Sequence, residues 1–390
     1  MLFLQIQLEK SYSFKIFTCV ADIPSSWNTV AGRNIFLHTT YLAVLENASP
    51  ENMTCRFIAV FSESDLVGVA VSQFINMRKV KSFGERDTRF KTKIRHYFFK
   101  LFGANVLFLG NNMLTGQNAF KFLPDVNLSK GIETLGGAIN QLRNDYQASG
   151  KTAHLTIFKD FYPTEDIHFK SHIFDDYFKF STQPNMVLTV DPSMTSFDEY
   201  LKRITKKYRD QYKRSRKKSI GIQKRKLGLD DIVNYSTRIH ELYMNVANNA
   251  PFNTFYLPKN HFIELKQHLK QRFFFYGYFD NDELVGFSTL IENGSDIDTY
   301  FLGYDEHCQR EKMLYLNMLY DMTAFSINHG YRKIIFARTA LEIKSSVGAV
   351  SEQMIGFIRH DNRILNFLLP RLFKYFEPKT SWQQRHPFKD

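Results

Sequence analysis

Charged side chains gather at one place in this sequence where a strand ought to end. The apolar run Lys333–Ala337 is followed by Arg338-Thr339-Ala340-Leu341-Glu342-Ile343-Lys344-Ser345-Ser346-Val347-Gly348. There Glu342 can act as a base or orient an amine, while Arg338 and Lys344 can hold a carboxylate, sulfonate or phosphate. Upstream, Ile297–Tyr304 reads as a strand, which puts Asp298, Tyr300 and Leu302 on one face and Thr299, Phe301 and Gly303 on the other. Asp298 and Tyr300 then offer a base and a proton donor, and Gly303 and Tyr304 are further candidate substrate contacts. Glycine fits at 303 if the strand bulges or another backbone comes close. These groups suit amide formation, in which an amine must lose its proton and an acyl carbonyl needs a donor for its developing oxyanion. Gln309 and Arg310, in the glycine-free stretch Asp305–Lys312, are the candidates for the phosphates of an acyl donor. The plain alternative for these charges is a solvated strand exit.

Such groups need elements to hold them, and the elements occur twice. Phe57–Phe61 runs into a polar turn, Ser62 to Asp65, and then Leu66-Val67-Gly68; Phe273–Phe279 runs into Asp280 to Glu283 and then Leu284-Val285-Gly286. Both read as β-hairpins, aromatic and β-branched runs split by a tight turn. Leu107-Phe108-Leu109-Gly110 matches Tyr300-Phe301-Leu302-Gly303, and Gly150 matches Gly330. Each of these last glycines closes a helix-like stretch and precedes a strand, Ala153–Phe158 or Lys333–Ala337. Hairpin, strand, helix, glycine and strand thus recur in one order, which implies duplication, with the boundary near Ser181 to Pro184. The longer first copy carries a basic insertion around 77–102 and, on this reading, lacks the charged strand exit of the second.

This order resembles the GNAT fold, and the second half resembles Fem-type and related tandem GNAT proteins. The resemblance rests on Gln183-Pro184-Asn185-Met186, Asp191-Pro192, Ser196-Phe197-Asp198-Glu199-Tyr200-Leu201, Lys207-Tyr208-Arg209 and Phe336 to Gly348. It covers residues 184–350 well and 14–160 in outline. It implies an α/β (α+β) fold of two tandem GNAT-like domains, each a mixed, mostly antiparallel sheet flanked by helices. The domains are 1–182 and 183–390, the second including a basic helical arm at 197–226. It further implies a central strand splayed from its neighbour, and an N-acyltransferase joining an activated acyl group to an amine. The expected co-substrate is an acyl-CoA or acyl-carrier-protein thioester, and the expected acceptor an amine-bearing lipid or cell-envelope precursor. An aminoacyl-tRNA-dependent Fem-type peptidyltransferase is the second reading, and a non-catalytic polyanion-binding module the third. If Glu342 is the base, Glu342→Gln should abolish turnover with folding intact.

Composition bounds these readings. Hydrophobic residues make up 44% of the 390, enough for full cores rather than a disordered chain. The net charge of +12 points to a polyanionic partner or a charged membrane surface. Lys202–Lys226 holds thirteen Lys or Arg and one acid, Asp210, while Tyr200, Ile204, Tyr208 and Tyr212 recur every four residues as one apolar stripe. The stripe should dock on protein or lipid and leave the cations for tRNA, an anionic membrane surface or the phosphates of a bulky substrate, and an acyl carrier protein is a further expected partner. Three dispersed cysteines, Cys19, Cys55 and Cys308, fit a reducing compartment. No metal is expected, since His168 and His172 stand four apart without a further ligand. No signal peptide or membrane span is legible, so a cytoplasmic protein able to rest on the inner membrane is expected.

Overall fold

A computed structural model describes residues 11–77, 105–250, 253–376 and 382–389. The basic insertion expected around 77–102 lies outside these residues, apart from Met77. The strands are β1 (Tyr12–Phe17), β2 (Met53–Ser62), β3 (Asp65–Asn76), β4 (Asn105–Leu109), β5 (Phe120–Phe122), β6 (Leu155–Phe161) and β7 (Phe178–Thr189). They continue with β8 (Gln223–Lys226), β9 (Phe273–Asp280), β10 (Glu283–Asn293), β11 (Asp296–Tyr304), β12 (Lys333–Ala337) and β13 (Val350–His360).

Both hairpins form where the aromatic runs and polar turns place them, as β2–β3 and β9–β10. Each carries a bulge at the same residue of its Leu-Val-Gly. Val67 is left over between the pairs Leu66–Phe61 and Gly68–Val60, and Val285 between Leu284–Phe279 and Gly286–Tyr278. The helices Leu128–Ala148 and Leu314–Asn328 also end alike. Gly150 and Gly330 adopt φ of 77° and 75°, and the next N–H groups, of Lys151 and Tyr331, reach back to the carbonyls of Tyr146 and Ser326. This is the left-handed closure that favours glycine.

All thirteen strands belong to one sheet, in the order β1-β2-β3-β4-β6-β13-β7-β12-β11-β10-β9-β8, with β5 on β3. Read from either end, the ladders follow the same sequence: three antiparallel, one parallel, then antiparallel through the centre. The closing strands are exchanged. β7 follows β6 in the chain but pairs with β12, while β13 follows β12 but pairs with β6. The boundary expected near Ser181 to Pro184 falls inside β7. There Gln183 and Pro184 form a bulge between the pairs Thr182–Met354 and Asn185–Glu352, a position that tolerates a proline without an N–H.

The registers correct one match. Ser72, four residues after Gly68, faces Leu109, and Leu290, four after Gly286, faces Thr299. Gly110 therefore corresponds to Tyr300, and the two tetrapeptides are displaced by three residues.

One face of the sheet carries a core shared by both halves, where helix Thr39–Asn47 packs on helix His261–Leu269. On the opposite face each half has its own core, beneath Leu128–Ala148 and Leu314–Asn328 respectively. Cys55 and Cys308 are buried, and all three cysteines are free.

Candidate active site

Strand β11 is paired on both edges only at its start. Asp296, Ile297 and Asp298 lie opposite Lys333, Ile334 and Ile335 of β12, and the parallel ladder stops there. On its other edge β11 follows β10 as far as Tyr304, with Tyr300 and Phe301 bulged between the pairs Leu290–Thr299 and Ser288–Leu302. Thr289 holds the bulge by donating to the Phe301 carbonyl at 2.6 Å. The Asp305 N–H donates to Val285 of β10. Alternation along an antiparallel ladder then turns the N–H groups of Leu302 and Tyr304 toward the open edge. The Tyr304 carbonyl, on the same edge, accepts from Asn245 at 3.4 Å.

The bulge thus lies at Tyr300–Phe301 rather than at Gly303, whose role is close approach. A Cβ at 303 would stand 2.5 Å from the Leu242 carbonyl carbon and 2.6 Å from the Tyr243 nitrogen, in helix Ser236–Asn248. The bulge also breaks the expected alternation. Tyr300 and Phe301 meet edge to face at 4.7 Å in the shared core instead of pointing to opposite faces.

Beyond β12 the backbone is strained. Ala337, Thr339 and Ala340 have φ of 60°, 67° and 48°, each costing on the order of 1 kcal/mol for a residue with a Cβ. Two contacts hold this shape. Lys344 is buried, and its ammonium donates to the carbonyls of Arg338 at 2.6 Å and Ala337 at 3.3 Å. Burial pushes its pKa down to about 7. Arg338 donates to Asp160 at the end of β6, across the join between the halves. Asp160 is also ion-paired with Lys159 at 2.5 Å, and both are buried. The first half therefore does have a charged strand exit, Lys159-Asp160, which the sequence reading passed over.

Two cavities lie on either side of the β12 exit, and the smaller reaches β11 at Phe301. The larger, about 890 Å³, is lined by Gln183, Lys207, Met313, Leu316, Glu342 and Arg385 among others. The smaller, about 380 Å³, is walled by Phe108, Phe180, Tyr243, Phe255 and Phe301, with Lys159 and Arg338. Consecutive residues divide between them: Thr182 and Arg338 line the smaller, Gln183 and Thr339 the larger. The β7 bulge and the β12 exit thus separate one cavity from the other.

The residues singled out from sequence part company here. Glu342 lines the larger cavity, paired with Arg385, while Arg338 lines the smaller. Lys344 lines neither. Asp298 and Tyr300 lie outside both cavity walls. Asp298 is buried and accepts from Asn293 at 3.4 Å, and burial pushes its carboxyl up to about 8. The Tyr300 hydroxyl meets His261 at 3.0 Å and Tyr41 at 3.4 Å, and burial raises its pKa well above the ordinary value. Gln309 accepts from the Tyr315 N–H at 3.3 Å, and Arg310 is exposed and pairs with Glu306. Their segment is a helix, Glu306–Lys312, closed by Met313 at φ 50° where glycine would cost less.

The basic arm comprises two helices, Phe197–Arg203 and Lys206–Lys218, broken where Ile204 bridges to Phe388. Its stripe docks on protein: Tyr200, Ile204 and Tyr208 are buried in the core beneath helix Leu314–Asn328. Among the described residues no helix is long and apolar enough to cross a membrane, and no three metal-ligating side chains converge.

No family model and no curated protein matches the chain. Solved structures do resemble it. FemX aligns with a TM-score of 0.50 over 88% of this chain and 94% of its own, at 12% identity. A tandem GNAT protein from the clavulanic acid biosynthesis pathway gives 0.48 over 90% and 99%, at 8% identity. L-PGS from Bacillus licheniformis gives 0.46 over 86% and 96%, at 13% identity.

Proposed function

We propose that this chain, which has the tandem GNAT fold of the Fem-type superfamily, is an N-acyltransferase that moves an acyl group from a thioester to the amine of a lipid or cell-envelope precursor. The open edge of β11, beside the β12 exit where two cavities meet, carries this reading. A thioester donor occupies the larger cavity, beside Met313 and Leu316 at the start of helix Leu314–Asn328, where the helix dipole favours phosphate. Its carbonyl reaches the gap and accepts from the N–H groups of Leu302 or Tyr304. Fixed donors of this kind stabilise the oxyanion more than the ground-state carbonyl. The amine approaches from the smaller cavity. A C–N bond forms, the C–S bond breaks, and the amine proton leaves with the thiol. Glu342, held by Arg385 on the donor side, orients the donor in this scheme rather than deprotonating the amine.

The test is thiol release by the purified protein from acyl-CoA and acyl-carrier-protein substrates, with a panel of primary amines. Amine-dependent release is expected; none from any thioester would overturn the assignment. The aminoacyl-tRNA reading is favoured by one observation. Lys206, Lys213, Arg214 and Lys217 are exposed on the helix whose Lys207 lines the larger cavity, which suits a polyanionic carrier. Transfer that disappears with RNase would select it.

A further inference from the structure

Five aromatic rings line the smaller cavity beside Asn112, Thr182, Asn253 and Thr254, and, Tyr243 apart, its ionisable members are both basic, Lys159 and Arg338. Lys159 has no donor to spare. Its ammonium is already shared among Asp160 at 2.5 Å and the carbonyls of Asn111 at 3.1 Å and Leu114 at 3.2 Å. Arg338 differs. Its Nη2 is held by Asp160, while its Nε–H is closed off from solvent and has no acceptor. Arginine presents five donors in a planar fork, so this side chain is anchored at one nitrogen and unsatisfied at another. Burial, and then the neighbouring Arg338 charge, push the Lys159 pKa well below the ordinary lysine value. Burial pushes the Arg338 guanidinium down to about 10, the direction expected of a cation short of anionic partners.

We propose that the smaller cavity selects an acceptor bearing an anionic group a few bonds from its primary amine, the anionic oxygens accepting from Arg338 and the amine lying among the rings. This rests on the acyl-transfer reading and narrows its substrate class. Asp160 and Lys159 act as positioning residues, fixing the guanidinium from behind. The wall has no carboxylate or histidine to take the amine's proton, so the acceptor attacks as the free amine, whose charged form is disfavoured beside the Arg338 cation. The amine forms its C–N bond as the C–S bond of the donor breaks, and the displaced proton leaves on the thiol.

Calorimetric titration of the full chain without any acyl donor tests this. The probes are β-alanine, taurine and O-phosphoethanolamine, with n-propylamine as the amine lacking an anion. At least one anionic amine should bind tenfold or more tighter than n-propylamine, and which one does identifies the headgroup as carboxylate, sulfonate or phosphate. Arg338→Lys keeps a cation for Asp160 but lacks the planar fork. It should fold with a melting temperature near that of the wild type and lose that preference, whereas Arg338→Gln should lose both preference and some stability. Equal binding of all four probes, no binding of any, or an undiminished preference in Arg338→Lys would overturn the proposal. The two readings fail separately. Thiol release with n-propylamine as fast as with the anionic amines sinks the pocket and spares the transfer reading. Arg338-dependent binding without thiol release from any thioester does the reverse.

Discussion

Replacing Lys344 by methionine should reverse its effect on stability across the neutral-to-alkaline range. The side chain is 6% exposed, and its two acceptors are main-chain carbonyls. Its folded pKa is about 7, against about 10.4 for an unfolded lysine. Between those values the unfolded chain binds a proton that the folded chain lacks, so stability rises with pH by about 1.4 kcal/mol per unit. Below the window both forms are protonated and the fold carries the whole cost of the buried ammonium, roughly 5 kcal/mol over the span. Lys344→Met removes that cost together with two hydrogen bonds, worth about 1 kcal/mol each. The variant should therefore exceed the wild type by about 3 kcal/mol near pH 6.5, draw level with it near pH 9, and fall below it by about 2 kcal/mol only above the unfolded pKa of about 10.4. Urea unfolding at constant ionic strength from pH 6.5 to 9.5, followed by Trp27 fluorescence, gives the difference curve. A difference that stays flat across that range would refute the account of a buried, easily deprotonated amine pinning the strand exit. Activity should drop at every pH, because Arg338 loses the contact that fixes its carbonyl.

Asp298 gives the opposite slope. With its carboxyl at about 8 in the fold and about 3.9 unfolded, the folded chain holds the extra proton, so stability declines as pH rises through that window. Asp298→Asn should abolish this decline, which the same urea series would show between pH 5 and 7; an unchanged slope would exclude Asp298 as its source. Asp160→Asn leaves Lys159 and Arg338 without their shared counter-ion, and should cost about 3–5 kcal/mol of stability by thermal or urea unfolding. Gly303→Ala drives a Cβ into the backbone of Leu242 and Tyr243. It should destabilise by about 1–3 kcal/mol and slow transfer, since Tyr243 walls the smaller cavity; wild-type thiol release would argue against that link.

Local features were legible in the sequence because local chemistry dictates them. Each Leu-Val-Gly follows a polar turn and bulges at its valine, and each helix-closing glycine takes the left-handed form. Features that depend on pairing between distant segments were not. A strand period of two says nothing about an extra residue, so the bulge at Tyr300–Phe301 stayed hidden and the two tetrapeptides were matched three residues out of register. Lys159-Asp160 reads along the chain as an ordinary charged exit. Only the exchange of β7 and β13 brings it against Arg338, 178 residues away. Lys344 shows the converse: in sequence it resembles a ligand-binding cation, while burial turns it inward onto the backbone.

On the acyl-transfer reading, the exchange also accounts for a single active gap in a doubled fold. Both parallel ladders end at equivalent residues, Leu109 beside Phe158 and Asp298 beside Ile335, within one position of each other. In the second half β11 runs on to Tyr304 with its edge open. In the first half the chain leaves the sheet at Gly110, where φ is 126°, and Asn111 to Leu114 folds back over the strand end. The carbonyls of Asn111 and Leu114 then take the Lys159 ammonium, so a cation and its acceptors occupy the place where an acyl group would enter. A plugged gap cannot bind a donor, but it can hold Asp160 rigidly toward Arg338. On the proposed reading the first copy then forms the rear wall of the other's acceptor pocket, and loosening the plug should weaken acceptor binding before it affects the donor.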